Sequence, residues 1–176
     1  SRGGVRQSRG MTSPYVVLTS ARCSVVVTDD DAVPRIVHWG APLGADDAPA
    51  LDALLDVAVP QGGLDDAVPM GLLPEHARGW SAYGGVSVHR GDGTGWAPVL
   101  HRTSSAQAGQ TFSWRGTDGQ AGVTAAIDLV LDEHGVLLVR SEITNDGDDV
   151  LHVVGLAPLL PVPLRAVEVL TLTGRW

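Results

Sequence analysis

The chain has 176 residues, 44% of them hydrophobic, and a single cysteine, Cys23. This is enough apolar material for the core of one domain, and it excludes an internal disulfide. The formal net charge is −8 and all 12 basic residues are arginine, which argues against a nucleic-acid partner. No apolar run approaches the roughly 20 residues of a membrane-spanning helix. Cys23 lies among valines and is predicted to be a small buried hydrophobe.

Residues 1–13 are predicted to be a disordered leader. The first ten are rich in Arg, Gly and Ser and lack the apolar segment of a secretory signal, so a start at Met11 and a cytoplasmic location are expected. Short apolar runs then predict strands at 16–20, 23–27 and 34–40. The acidic run Asp29–Asp31 is predicted to be a solvated turn, because the wider ligand pattern of a calcium loop is missing.

The one helical pattern lies at 46–58. Leu51, Leu54, Leu55 and Ala58 share a face there, and Pro60 is expected to end the helix. The stretch from residue 60 to residue 80 is rich in Gly and Pro. A loop of this length is typical of a functional or interface-forming segment.

The rest of the chain has the pattern of an antiparallel β-sandwich, with turns containing Asp and Gly between apolar runs. Strands are predicted at 84–90, 99–102, 111–114, 122–131, 136–143, 150–156 and 167–173. The last of these runs towards Gly174-Arg175-Trp176, with no polar tail after it. This ending suggests a piece of a longer protein.

Catalytic and metal-binding patterns are weak. The six histidines lack metal-ligand spacing, and Ser104-Ser105 lacks the setting of a hydrolase nucleophile. Most carboxylates cluster in turns, where they cap backbone groups. Glu142 lies in a strand with Arg140 on the same face, so an exposed ion pair is predicted. We find no self-contained catalytic pair, and no metal or cofactor is expected.

The tryptophans are the best candidates for ligand contact. All five lie near glycine at a strand end or a turn: Trp39, Trp80, Trp96, Trp114 and Trp176. An indole can stack on a sugar or a cation, or pack in the core. Core packing is favoured for most of them. For Trp80, in the long loop, both interpretations stay open.

Several short segments together carry a family resemblance. They are Pro34–Gly44, Leu72–Trp80, Gly85–Arg90, Arg140–Gly147, Pro161–Pro163 and Leu172–Trp176. In this order they resemble motifs of glycoside hydrolase family 36, the bacterial α-galactosidases, and the actinobacterial members in particular. The resemblance covers residues 14–176. One departure is Gly84-Gly85, where relatives often have Arg-Pro.

The resemblance implies that residues 14–176 form an all-β fold, an antiparallel β-supersandwich of the galactose-mutarotase-like type. In the family this is an N-terminal domain, and a (β/α)₈ barrel that carries both catalytic aspartates follows it. The barrel is expected to be absent here, so this chain would contain no catalytic residue and be inactive alone. The parent, an enzyme of carbohydrate metabolism, would hydrolyse terminal α-galactosides with retention.

The resemblance also implies partners: the barrel of the parent chain, further copies in a homo-oligomer, and the parent's α-galactoside substrate. Loops of the N-terminal domain help to close a neighbouring subunit's active site in many members. Trp80 and Arg90 match the loop motif, so a substrate-side role is expected for these two residues. No nucleic-acid or membrane partner is expected. The alternative is a stand-alone carbohydrate-binding or oligomerisation module.

Overall fold

The computed structural model describes residues 14–44, 47–55, 68–162, 166–168 and 170, and consists mainly of antiparallel strands. The strands are β1 (Tyr15–Thr19), β2 (Ser24–Thr28), β3 (Ile36–Gly40), β4 (Val86–Arg90), β5 (His101–Ala108), β6 (Thr111–Asp118), β7 (Val123–Leu131), β8 (Leu137–Asn145) and β9 (Leu151–Leu156). The helical elements of the described part are α1 (Ala48–Leu55) and a 3₁₀ turn (His76–Arg78). The expected all-β antiparallel fold is confirmed.

The strands form three sheets. The first has the order β1-β2-β3, the second is the pair β4-β9, and the third has the order β5-β6-β7-β8. The third sheet is a meander, since each strand pairs with the next along the chain. Tight turns join its strands. In the predicted turn after β7, the Asp132 carboxylate accepts hydrogen bonds from the backbone N–H groups of His134 and Val136.

One hydrophobic core serves all three sheets. The buried cluster includes Val25 of β2, Val88 of β4, Phe112 of β6 and Ile127 of β7. Alternation along β6 and β7 turns one face of the third sheet into this cluster. Cys23 packs against the cluster but is only half-buried, because it lies in the turn before β2 and not within that fully buried strand.

The helix expected within residues 46–58 is confirmed at Ala48–Leu55. Leu51 is buried, whereas Leu54 is exposed. The predicted apolar face of the helix is thus only partly buried. The Arg35 guanidinium donates a hydrogen bond to the carbonyl of Leu55. Ala58 and Pro60, which the prediction also used, lie outside the described residues, as do residues 1–13. No helix in the described part combines the length and the apolar character needed to cross a bilayer.

Two predicted strands were too short. The strand expected at 99–102 corresponds to β5, which continues to Ala108, and the strand expected at 111–114 corresponds to β6, which continues to Asp118. The two strands pair from His101↔Thr117 to Ala108↔Thr111. The second half of β5, Ser-Ala-Gln-Ala, consists of small or polar residues and is mostly exposed. It therefore lacks the alternation of a half-buried strand. Its extended conformation is fixed by hydrogen-bonded pairing with β6.

The strand predicted at 167–173 is not formed by those of its residues that the structure describes. Residues 166–168 and 170 lie outside any strand. Val167 is 91% and Leu170 84% exposed. Their alternation with polar residues predicted a half-buried strand, but no surface of the described chain covers them. The remaining residues of this prediction lie outside the described part.

Glu75 anchors the end of the long loop to the chain just before β5. This buried carboxylate accepts a hydrogen bond from the backbone N–H of Leu100 at 2.6 Å and from the Arg78 Nε–H at 2.8 Å. Burial raises its pKa above the ordinary value, although both hydrogen bonds oppose this rise. The loop is thus held by a charged group that is costly to desolvate.

The indole of Trp114 lies against the backbone of Gly116 in the third sheet. Both lie on the inward face of β6, and Trp114 is fully buried. A Cβ at Gly116 would lie 2.2 Å from Cη2 of the indole. The indole N–H of Trp114 is buried without a hydrogen-bond partner among the described residues. The ring therefore occupies the space that a side chain at Gly116 would need.

We expect Gly116→Ala to lower the free energy of unfolding by about 2 kcal/mol, because the added methyl overpacks a rigid core. Urea denaturation followed by far-UV circular dichroism measures this change. Gly119→Ala is the matched control, since nothing lies within 4 Å of a Cβ there. Trp114→Phe removes the contacting ring, so the double substitution should cost less than the sum of the two single ones. Equal effects of the two alanines would contradict this account.

Glu75→Gln tests the buried carboxylate through the pH dependence of stability. The native pKa is raised above 4.5, so the native chain binds more protons than the unfolded chain between 4.5 and the raised value. The contribution of Glu75 to the free energy of unfolding is largest below pH 4.5 and falls as the pH rises through the native pKa. The stability advantage of the wild type over Glu75→Gln should therefore shrink from pH 4 towards pH 7. Parallel urea titrations across this range measure it, and a constant or growing advantage would contradict the burial effect.

Candidate functional site

Trp80 and Arg90, the two residues with an expected substrate-side role, line different depressions of the surface. Trp80 follows the 3₁₀ turn and borders a narrow crevice beside the loop before β4. Arg90 ends β4 and lines two open depressions formed by turns. The structure therefore does not bring the two side chains into one pocket.

The indole of Trp80 is half-buried and hydrogen-bonded within its own loop. Its Nε1–H donates to the carbonyl of Tyr83 at 2.9 Å. The carbonyl of Trp80 lies 2.9 Å from Nδ1 of His76, which must carry the proton to donate this bond. The adjoining crevice has a volume of about 50 Å³, the size of a few water molecules. In this arrangement the hydrogen bond of Trp80 stabilises the loop, and only part of its half-buried ring is available to a ligand.

The guanidinium of Arg90 joins turns that are far apart in sequence. Nη1 donates to the side-chain oxygen of Asn145 at 2.8 Å and to the carbonyl of Asp149 at 2.7 Å. Nη2 donates to the carbonyls of Ala121 at 2.7 Å and Gly122 at 2.9 Å. All four acceptors are neutral, so the group acts as a planar array of donors and not as one half of an ion pair.

Two glycines make room for the guanidinium. A Cβ at Gly122 would lie 2.8 Å from Nη2 of Arg90, and one at Gly147 would lie 2.7 Å from the same atom. Gly122 also has a positive φ of 65°, which disfavours other residues. The sequence predicted Gly147 as a turn residue and Gly122 as the first residue of the strand at 122–131, and their contact with Arg90 was missed. Only the folded arrangement brings the turns after β6 and β8 against the end of β4.

An acidic cleft of about 690 Å³ lies over this cluster. The three turns after β4, β6 and β8 form its walls, and its carboxylates are Asp92, Asp146, Asp148 and Asp149. The backbone N–H of Thr94 donates to Asp92 and, with the Thr94 hydroxyl, lowers the pKa of that carboxyl. Carboxylates of this kind can accept hydrogen bonds from sugar hydroxyls. The lining residues include no aromatic ring on which a sugar could stack.

Trp96 supplies an aromatic ring next to this cleft. It shares with Arg90 and Gln120 a depression of about 350 Å³, and its side chain is 62% exposed. Sequence reasoning favoured core packing for this tryptophan. The signal that could have distinguished it is its place directly after the glycine-rich turn Gly91–Gly95, which leaves it on a loop outside any strand. An exposed indole beside polar groups can stack on a sugar or contact a protein partner.

The acidic residues singled out from the sequence have structural partners. Asp29 pairs with Arg102 at 2.7 Å, and Asp31 lies 2.8 Å from Nδ1 of His101, whose hydrogen bond lowers the pKa of this carboxyl. The predicted surface pair of Arg140 and Glu142 is present, with a nitrogen–oxygen distance of 3.4 Å. Both side chains are exposed, so this ion pair contributes little to stability.

Two histidines stack across the second sheet. His89 of β4 and His152 of β9 are register partners, with ring centroids 4.9 Å apart and planes inclined by 15°. Nearly parallel rings direct their nitrogen lone pairs side by side, so the two cannot converge on one ion. Within the described residues, no group of three or more His, Cys, Asp or Glu side chains could hold a metal.

Comparisons with known proteins agree with one another. The family model described as the glycosyl hydrolase family 36 N-terminal domain matches residues 32–176. An alpha-galactosidase of Escherichia coli is 31% identical over 169 residues. The aligned region covers 94% of this chain but only 23% of that relative. No solved structure matches the chain. The family match over most of the chain, together with this relative, shows that the chain belongs to the glycosyl hydrolase family 36 N-terminal domain family.

Proposed function

We propose that this chain is the non-catalytic N-terminal domain, residues 14–176, of an α-galactosidase. The parent hydrolyses terminal α-galactosides with retention, on a catalytic barrel outside these 176 residues. The observation that carries the proposal is the alignment of 94% of the chain with the alpha-galactosidase of Escherichia coli. The chain spans only 23% of that relative, which leaves most of its length for other domains.

The hydrogen bonding of the carboxylates supports a non-catalytic role. A retaining glycosidase needs two carboxyl groups about 5 Å apart on either side of a sugar. Glu75 is buried, but both of its oxygens are engaged by Arg78 and Leu100. Asp118 accepts backbone hydrogen bonds from Val99, Gln120 and Ala121, which outweigh the effect of burial and lower its pKa. Groups held in this way stabilise the chain and are poorly placed to exchange protons with a substrate.

We infer that the domain supports the barrel, assists assembly of a homo-oligomer and helps to close an active site. Trp80 and Arg90 would act on the substrate side, in a neighbouring subunit's site. Arg90 would do so indirectly, by holding the turns around the acidic cleft in place, since its donors are engaged by backbone and side-chain oxygens. The parent would act in the cytoplasm.

A second candidate function is a carbohydrate-binding module. The observation that favours it is the exposed indole of Trp96, which lies beside Arg90 and Gln120 in an open depression. Stacking on an indole with hydrogen bonds around its rim is a common way to bind a sugar. The two functions differ in whether the isolated chain binds free sugar.

We expect the 176-residue chain to release no nitrophenol from 4-nitrophenyl α-galactoside above the buffer blank. The polypeptide encoded by the continued reading frame should hydrolyse it. Proton NMR of that reaction should show α-galactose as the first sugar formed, because two inversions give retention. Turnover that co-elutes with the 176-residue chain on gel filtration would contradict the non-catalytic role, and β-galactose as first product would contradict retention.

We expect no saturable change in tryptophan fluorescence when galactose or raffinose is added to the chain up to about 50 mM, a range that detects millimolar dissociation constants. Trp80→Ala and Trp96→Ala are the matched variants, one in the loop crevice and one beside Arg90. A saturable signal that either variant abolishes would favour the binding module and identify its stacking residue. Glucose serves as the control for non-specific quenching.

A further inference from the structure

The second sheet is unusual because it contains only β4 and β9 among the described residues. A two-stranded sheet is at best marginally stable by itself. One side of this pair is well covered. Val86 and Val88 of β4 are buried in the common core, and the neighbouring loop hydrogen-bonds to the start of β4 through Gly85 and Pro74. Within the described residues, β9 has no strand partner on its other edge.

β9 also exposes apolar side chains. Val153 is 51% and Val154 68% exposed, and Val150 just before the strand is 70% exposed. Leu160 and Val162 continue the exposed apolar series after the strand. We call these five residues the β9 strip. Val154 lies in a bulge, since Ser87 pairs with Gly155 and Val88 with Val153. Adjacent residues of a regular strand segment point to opposite faces. His152 and Val153 pair in regular register with β4 and are both exposed, so the described residues leave this part of β9 uncovered on both faces.

The edge of β9 carries a bulge opposite Ser87 and Val88, but it lacks two other features that commonly prevent strand pairing. Exposed edges usually carry charged residues or proline. The sequence of β9, Leu-His-Val-Val-Gly-Leu, contains neither. By contrast, the edge strands of the third sheet are protected, since β5 carries Arg102 with a bulge beside it and β8 carries Arg140 and Glu142. Among the described residues, the edge of β9 is thus more apolar than the two edges of the third sheet.

We propose that β9 is an internal strand in the complete protein, and that a strand from the polypeptide following residue 176 pairs with its open edge and covers the β9 strip. This inference rests on the proposed function, which makes the chain the first part of a longer polypeptide. The relative that shares 169 residues with this chain has most of its length beyond the aligned region. Consecutive elements pack side by side in most folds, and the strip lies near the end of the chain. A second copy is the alternative occupant, which the tests below distinguish.

Hydrogen exchange measured by mass spectrometry tests this pairing without any substitution. It compares peptides covering residues 150–156 in the 176-residue chain and in the longer polypeptide of the continued reading frame. We expect exchange to slow by about 100-fold in the longer protein as the open edge becomes paired. Peptides from β6 serve as the internal reference, because this strand is paired on both sides in either protein. Equal exchange of residues 150–156 in both proteins overturns the proposal.

Val154→Asp tests the covering of the strip. We expect it to leave the melting temperature of the 176-residue chain within about 1 °C, as exposed positions usually do. In the longer protein it should lower this temperature by about 4 °C or more. Val136→Asp is the control. Val136 is 55% exposed, in the turn at the opposite end of β8 from the turn into β9, and its substitution should have little effect in either protein.

The failures are distinguishable. A stop codon directly after Trp176 would contradict both the proposed function and this inference. A longer protein that hydrolyses the α-galactoside but exchanges residues 150–156 as freely as the short chain would overturn this inference alone. Dimerisation of the 176-residue chain that Val154→Asp abolishes would also overturn it, since the occupant would then be a second copy.

Discussion

Three sheets share one core here without sharing a hydrogen-bonded strand, and the described structure depends on how their boundaries are held together. Hydrogen bonds made by side chains hold these boundaries together. Arg90 connects the end of β4 to turns of the third sheet. Arg102 connects β5 to Asp29 after β2. Gln107 and Gln110 bridge the third sheet to β1. Apolar burial supplies the driving force, but it has no direction. Hydrogen bonds to charged or amide groups do have direction, and they orient the sheets.

This division explains what could be predicted from the sequence. Strand positions follow from local alternation and from turn residues, so β7, β8 and the short helix α1 lie close to their predicted ranges. β5 was predicted too short because its partner, and not its own pattern, defines it. The apolar alternation around Val167 predicted a strand where the described residues have none. In both failures the deciding factor lies outside the segment itself: the partner strand β6 for β5, and the lack of a covering surface in the described residues for Val167.

The candidate site shows the same limit more sharply. The family motifs singled out Trp80 and Arg90, but not what they contact. The partners of Arg90 lie 31 to 59 positions away, and no local rule reaches across such separations. Trp96 was passed over because an exposed and a buried tryptophan can have similar neighbours in sequence. Exposure is a property of the assembled surface. The place of Trp96 directly after a glycine-rich turn is the sequence signal that separates it from the fully buried Trp114.

The four hydrogen bonds of Arg90 have a consequence for whatever meets the acidic cleft. The turns after β6 and β8 are tied to one rigid, planar group, so their conformational freedom is already lost in the folded chain. A sugar, a neighbouring subunit or a second domain would meet a surface that needs little ordering on contact. Preorganisation of this kind improves affinity by reducing the entropy lost on binding, without adding a contact. Arg90 can thus influence recognition at this cleft even if its guanidinium never touches the partner.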